Sequence, residues 1–205
     1  MEKFLALPQE RQDSIIAAAM GVFGTVGYKK AYISEIASTA GISKALIFHY
    51  FGNKKTMYLY MIEYAYAVLT AEMQDRGEYV STDFFDRITS ATKQKLAVMK
   101  RFPAINSFLG SVYFETNDEV AFDIQSILSK GEILRSQLVL DGIDTGKFKE
   151  TVDPNLVLNI LVRLAEGYAN NLVNQSNKDI DKMIKEFEAS VAMMKNNFYR
   201  EEYLV

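Results

Sequence analysis

Residues 44–54 read KALIFHYFGNK and place two lysines, a histidine and a tyrosine within eleven positions. An ammonium, an imidazole N–H and a phenol O–H are all donors suited to phosphate oxygens, so the chemistry this cluster could do is recognition of a nucleic-acid backbone. His49 is the only histidine of the 205-residue chain, and there is no cysteine. A second imidazole or a thiolate partner is therefore missing for nucleophilic catalysis, and a transition-metal site lacks its usual ligands. A phosphate loop is absent too. Gly142 and Gly146-Lys147 are separated by three residues where four are needed, and Phe148 stands at the Ser/Thr position. Neither Gly-x-Ser-x-Gly nor His-Glu-x-x-His occurs. The expectation is no cofactor, no metal and no enzymatic activity.

Charge follows the same division. Residues 1–55 carry seven Lys/Arg against four Asp/Glu, a net +3, whereas 56–205 carry sixteen against twenty-two, a net −6. A basic leading end on an acidic body suits a small nucleic-acid-binding module joined to a larger one. The longest uncharged run, Ser14–Tyr28, has 15 residues, short of the roughly 18 that suggest a membrane span. With no signal-peptide pattern in MEKFLALPQER and no cysteine, a cytoplasmic protein is expected.

The elements that must hold residues 44–54 are helices. Apolar residues recur at helical spacing along the chain, and strand-like alternation is scarce. The three prolines stand at helix starts or breaks: Pro8, Pro103 and Asp153-Pro154. Ile15, Ala19, Val22, Phe23 and Val26 form one face of a first long helix, and Gly27 is placed to end it. Ile33, Ile36, Ala37 and Ala40 mark a helix of about two turns. Gly41 offers a turn, Ile42 an apolar plug and Ser43 an N-cap for the next helix. In that helix Ile47 and Phe51 point inward, leaving Lys44, Ala45, Phe48 and His49 outward and Tyr50 at an edge. Further helices are expected over about 54–77, 82–101, 104–115, 119–140, 154–175 and 178–200. Two core helices joined by a Gly turn would give the same pattern. Phe48, His49 and Tyr50 in a row, however, cannot all be buried on so short a helix, and uncovered rings beside a lysine call for a partner.

Residues 9–58 closely resemble the N-terminal DNA-binding domain of the TetR family of transcriptional regulators. The resemblance rests on Gly27-Tyr28, Ile36-Ala37, Ala40-Gly41-Ile42-Ser43, His49-Tyr50-Phe51 and Lys54 in register. It implies an all-α fold, with a three-helix helix-turn-helix domain over 1–53 and a larger helical effector-binding and dimerisation domain over 54–205. The DNA contacts it implies are Ser43, Lys44, Ala45, Phe48, His49, Tyr50 and Lys54. Lys44 and Ala45 would lie nearest base edges, and Tyr50 and Lys54 would hold phosphates. Four positions depart from the family pattern. Phe48 replaces Tyr, Leu46 replaces Thr, Ala45 replaces Gly and Ala31 replaces Thr, which alters the operator expected more than DNA binding itself.

In the body, Ile180, Ile184, Phe187, Val191, Met194 and Phe198 are spaced 4, 3, 4, 3, 4, and Val157, Leu161, Leu164, Tyr168 and Leu172 make a second stripe. Such seams either close the domain's own core or pair with another chain. The resemblance favours a homodimer through Leu161, Leu164, Tyr168, Ile184, Phe187, Val191 and Met194. It also implies a small-molecule effector, partly apolar, in a pocket drawn from Met99, Phe102, Phe108, Tyr113, Phe114 and Glu166. The expected function is a repressor released from a palindromic operator by that effector. The alternatives are a helical DNA-binding protein with a protein partner and no effector, or an enzyme.

Overall fold

The computed structural model describes residues 1–75, 81–174 and 180–204. Among them the chain forms α1 (Glu2–Leu5), α2 (Gln9–Lys30), α3 (Ile33–Thr39), α4 (Lys44–Phe51), α5 (Lys54–Asp75), α6 (Phe84–Arg101), α7 (Pro103–Tyr113), α8 (Asp118–Leu140), α9 (Pro154–Asn174) and α10 (Ile180–Phe198). Short 3-10 turns cover Thr145–Lys147 and Glu201–Tyr203. The expected all-α class holds: among the described residues there is no strand, only an isolated antiparallel bridge between Phe148 and Tyr199. The sequence reading missed α1 and both 3-10 turns. The helix ends expected at 76–77, 175 and 178–179 lie outside the described residues.

The chain forms two compact units, Met1–Ala71 with Val98–Ser129, and Glu72–Ala97 with Lys130–Val205. The first unit has a core built from the inward stripes of its helices. Ile15, Ala19 and Phe23 of α2 meet Ile36 of α3, Ile47 and Phe51 of α4, Met57, Tyr58 and Met61 of α5, and Phe108 and Val112 of α7. Val26, expected on the same face of α2, is instead 37% exposed. It directly precedes Gly27, whose φ of 74° and ψ of 174° break the helix. Helix α2 packs closely on α7 because Gly24 has no side chain: a Cβ there would lie 3.1 Å from the Phe108 Cα.

The second unit has its own core of Phe84, Phe85, Phe148 and Tyr199 with Leu161, Phe187 and Val191. The rings pack edge to face, Phe148 on Tyr199 at 4.9 Å and Phe84 on Phe85 at 5.0 Å, the arrangement aromatic quadrupoles favour. Beneath them Asp83 is buried. It accepts from Lys147 Nζ at 3.0 Å and Tyr199 Oη at 3.2 Å, with Lys195 Nζ 3.4 Å away. Asp83 is thus a structural centre of the second unit.

Candidate nucleic-acid interface

The turn between α3 and α4 is closed by backbone geometry. Ile42 N–H donates to Ala37 O at 3.0 Å and Gly41 N–H to Ser38 O at 3.1 Å, the paired bonds of a Schellman cap. That cap needs a left-handed residue, and Gly41 supplies it at φ 66°. Ser43 then starts α4, its hydroxyl accepting from Leu46 N at 3.2 Å, which satisfies one of the free donors at the helix start. After Gly52, Asn53 Oδ1 accepts from Thr56 N at 2.8 Å and so caps α5.

On α4, Ile47 and Phe51 are buried, which turns the opposite side of two short turns to solvent. Lys44, Ala45 and His49 are exposed, Phe48 is 39% exposed and Tyr50 is half-buried. The Lys44 ammonium sits 5.7 Å from the Phe48 ring centre, and the His49 ring 5.7 Å from that of Tyr50. Lysine, imidazole and phenol therefore share one uncovered surface with two apolar side chains, Phe48 and Leu46. Donors of this kind suit phosphate oxygens, and the apolar groups suit a thymine methyl.

Lys54 is placed differently. Its ammonium lies 4.6 Å over the Tyr28 ring and donates to Lys29 O at 3.3 Å. Partial burial holds it below the ordinary lysine value, opposed by the charges of Glu119 and Glu115. Burial also pushes the Tyr28 phenol up, helped by its hydrogen bond to Glu119 and the charges of Glu119 and Glu115. Lys54 is thus tied to the end of α2.

Of the residues expected around an effector, Phe102, Phe108, Tyr113 and Phe114 belong to the first unit and Glu166 to the second. Phe108 is fully buried, its ring 5.6 Å from that of Tyr58 and 6.4 Å from that of Phe23, so it fills the first unit's core. Phe102 is half-buried, while Tyr113 and Phe114 are 49% and 46% exposed. Glu166 is half-buried on α9 in the second unit, and the side chain of Met99 lies outside the described residues. A groove of about 340 Å³ runs between Ala17, Gly21 and Thr25 of α2 and Glu35 and Thr39 of α3. A cleft of about 370 Å³ on the second unit is lined by Asp86, Thr89 and Lys93 of α6 and Glu188, Ala192 and Lys195 of α10. Neither contains an expected effector residue.

Of the expected dimer residues, Leu161, Phe187 and Val191 are buried within one chain, and Leu164, Tyr168 and Met194 pack against them. The Tyr168 ring is 6.4 Å from that of Phe187, and Ile184 is half-buried. Leu156, Ile160 and Met193 of the same helices are 58%, 40% and 58% exposed. Among the described residues no group of His, Asp or Glu could hold a metal ion, and no helix is long and apolar enough to cross a membrane.

Sequence reasoning missed Phe4, which lies against α4, and Glu115, which holds Tyr28. A single buried residue in a four-residue helix carries no periodic signal. A carboxylate accepting from a backbone 87 residues away carries none either.

Residues 15–61 match the sequence profile of "Bacterial regulatory proteins, tetR family". The HTH-type transcriptional regulator BetI of Vibrio vulnificus is 33% identical over 101 residues, 49% of this chain and 44% of that protein. The chain thus spans less than half the length of that relative in the match. A TetR family transcriptional regulator from Chloroflexus aurantiacus has the same fold, with a TM-score of 0.71 at 22% identity over 98% of this chain and 99% of its own. The regulator FadR of Bacillus subtilis, solved in complex with stearoyl-CoA, superposes with a TM-score of 0.68 at 19% identity over 87% of this chain and 96% of its own.

Proposed function

We infer that this chain, which belongs to the TetR family, is a DNA-binding transcriptional regulator. It acts as a homodimer that represses by occupying a palindromic operator until a small-molecule effector releases it. The observation that carries the reading is the uncovered side of α4, where Lys44, Ala45, Phe48 and His49 stand exposed on a capped helix of a helix-turn-helix. Lys44 and Ala45, at the start of that helix, face base edges. Tyr50 and Lys54 hold phosphates and fix register, His49 lies beside the backbone or a base, and Ser43 and Phe48 complete the contact surface. In this division of labour residues 1–53 read DNA and 54–205 serve pairing and effector response, in the cytoplasm and without catalysis.

Pairing through α9 and α10 explains the apolar surface they leave open. Leu156, Ile160, Leu164 and Tyr168 follow at four-residue intervals along one side of α9, passing from exposed to half-buried. With Met193 and the partly open Ile184 and Met194 they form the surface we assign to the second copy. A two-fold pair presents two recognition helices to successive major grooves, roughly 34–36 Å apart. The effector is a partly apolar small molecule taken by the helices after the head, with Phe102, Tyr113 and Phe114 of the first unit among the candidates. It acts by preferring a state whose heads do not fit both half-sites. Stearoyl-CoA, bound by the Bacillus subtilis structure, is the first probe.

Incubating the chain with fragmented genomic DNA tests the reading. Enriched fragments are expected to share an inverted repeat and to bind two chains per site by fluorescence anisotropy, with release on adding effector. Retention of no fragment above background, or one chain on an asymmetric site, would overturn it.

A further inference from the structure

The uncovered side of α4 has a counterpart on its packed side that lies outside the residues matching the family profile. Helix α1 has only four residues, too few to persist alone in water. Glu2 and Lys3 are exposed and Leu5 is 55% exposed, so most of α1 contributes little burial. Phe4, by contrast, is fully buried. Its ring lies 4.8 Å from that of Phe51, 5.5 Å from Tyr60 and 6.3 Å from Tyr50. The segment is held at its far end by Gln12, whose Nε2 donates to Leu7 O at 2.9 Å and Leu5 O at 3.2 Å.

We propose that Phe4 is a positioning residue for DNA recognition: its ring is the wedge that fixes the tilt of α4 and walls in the half-buried Tyr50. Helix α4 has eight residues, so its own hydrogen bonds set its orientation weakly, and packing must do so. Ile47 and Phe51 anchor it to the helix-turn-helix core, and Phe4 meets the rings at its C-terminal end, where Tyr50 presents its phenol. Removing the wedge leaves room for Phe51 and Tyr50 to shift. The recognition helix then rocks, and contacts that need fixed distances to base edges suffer more than diffuse attraction to phosphates. Phe4 itself touches no DNA in this arrangement.

The proposal rests on the DNA-binding reading above, and the test separates the two. The probes are a duplex enriched from genomic fragments by the wild-type chain and a scrambled duplex of the same length, with affinities measured where unfolding curves show the variant folded. Phe4→Ala is expected to weaken the enriched duplex about tenfold, comparable to one mismatched base pair, and to leave the scrambled duplex unchanged. Phe4→Leu, which restores most of the volume, is expected to recover selectivity. Gln12→Ala, which frees α1 without opening the apolar core, is expected to lower the same ratio about threefold, a smaller step on that scale. It carries the test if Phe4→Ala does not fold. An unchanged ratio in Phe4→Ala, or in Gln12→Ala where Phe4→Ala does not fold, overturns the proposal. So does an equal loss on both duplexes that tracks the unfolded fraction. If the wild-type chain enriches no fragment, the DNA-binding reading falls, and this inference with it.

Discussion

The backbone N–H of Tyr28 donates to Glu115 Oε2 at 2.7 Å across 87 positions of sequence. Gly27 has just left helical geometry, which frees that N–H, and the carboxylate two residues beyond α7 receives it. The other oxygen of Glu115 accepts from Asn117 N at 2.9 Å, so the acceptor is itself held in place. Glu115→Ala leaves a part-buried donor unmatched and is expected to cost about 1–3 kcal/mol in urea unfolding. Glu115→Gln keeps an acceptor oxygen and is expected to lose less.

Two glycines on one helix give opposite predictions. Gly21 has nothing within 4 Å of the place a Cβ would take, whereas at Gly24 a Cβ would lie 3.1 Å from the backbone of Phe108. Gly21→Ala gains helix propensity and is expected to stabilise by up to about 1 kcal/mol. Gly24→Ala gains the same propensity but forces α2 from α7, and is expected to destabilise by about 1–3 kcal/mol. Thermal unfolding of both variants beside the wild type checks the signs.

The recognition surface predicts separable effects on DNA. Lys44→Ala is expected to weaken binding and to relax base preference. Lys54→Ala is expected to weaken all sequences alike and to reduce the slope of log affinity against log salt by about 0.9 for each phosphate left without its lysine. Titrations of enriched and scrambled duplexes at several salt concentrations distinguish them. Unchanged affinity and slope in both variants would reject the two assignments.

Much of this surface was legible because helical spacing reports which side of a helix is buried. The interval between Ile47 and Phe51 was enough to turn Lys44, Phe48 and His49 outward, and Gly41 and Ser43 carry their turn and cap chemistry in their residue types. What spacing cannot report is the partner. Phe108 was grouped with pocket residues because an aromatic side chain has the same apolar signature in a core and in a cavity wall. Leu161, Phe187 and Val191 form the narrow seam that suits another helix, and that helix is in the same chain. Asp83 looked like any surface carboxylate because its partners, Lys147, Lys195 and Tyr199, are 64 to 116 residues away.

Asp83 gives a pH prediction. Burial alone would raise its carboxyl. The hydrogen bonds from Lys147 and the Asp86 N–H, with the charges of Lys195 and Lys147, outweigh that and hold it below the ordinary carboxylate value. A group depressed on folding stabilises above its unfolded value, about 3.9, and loses that contribution as pH falls through its folded value. The wild-type urea midpoint is therefore expected to decline below about pH 4. Asp83→Asn leaves two lysines facing a neutral group and is expected to cost about 3 kcal/mol at pH 7, the lower end for a broken buried pair because both lysines are partly hydrated. Its acid decline should be shallower.

Oligomeric state separates pairing from folding. Ile160→Glu and Met193→Glu place charges on exposed apolar sites, and are expected to yield folded monomers by sedimentation. Leu161→Ala opens a hole in the second unit's core and is expected to destabilise the chain by about 2–5 kcal/mol. A dimer persisting in both Glu variants would move the interface elsewhere.

Gly24 and Phe108 bring α7 into the same compact body as the DNA-reading helices, which gathers Met1–Ala71 with Val98–Ser129. A chimera cut after residue 53 would strand Phe23 and Tyr28 without Tyr58 and Phe108, exposing a ring-lined wound where the donor protein had an interior. Exchanging operator preference between such proteins is therefore a transplant of two separate stretches of chain.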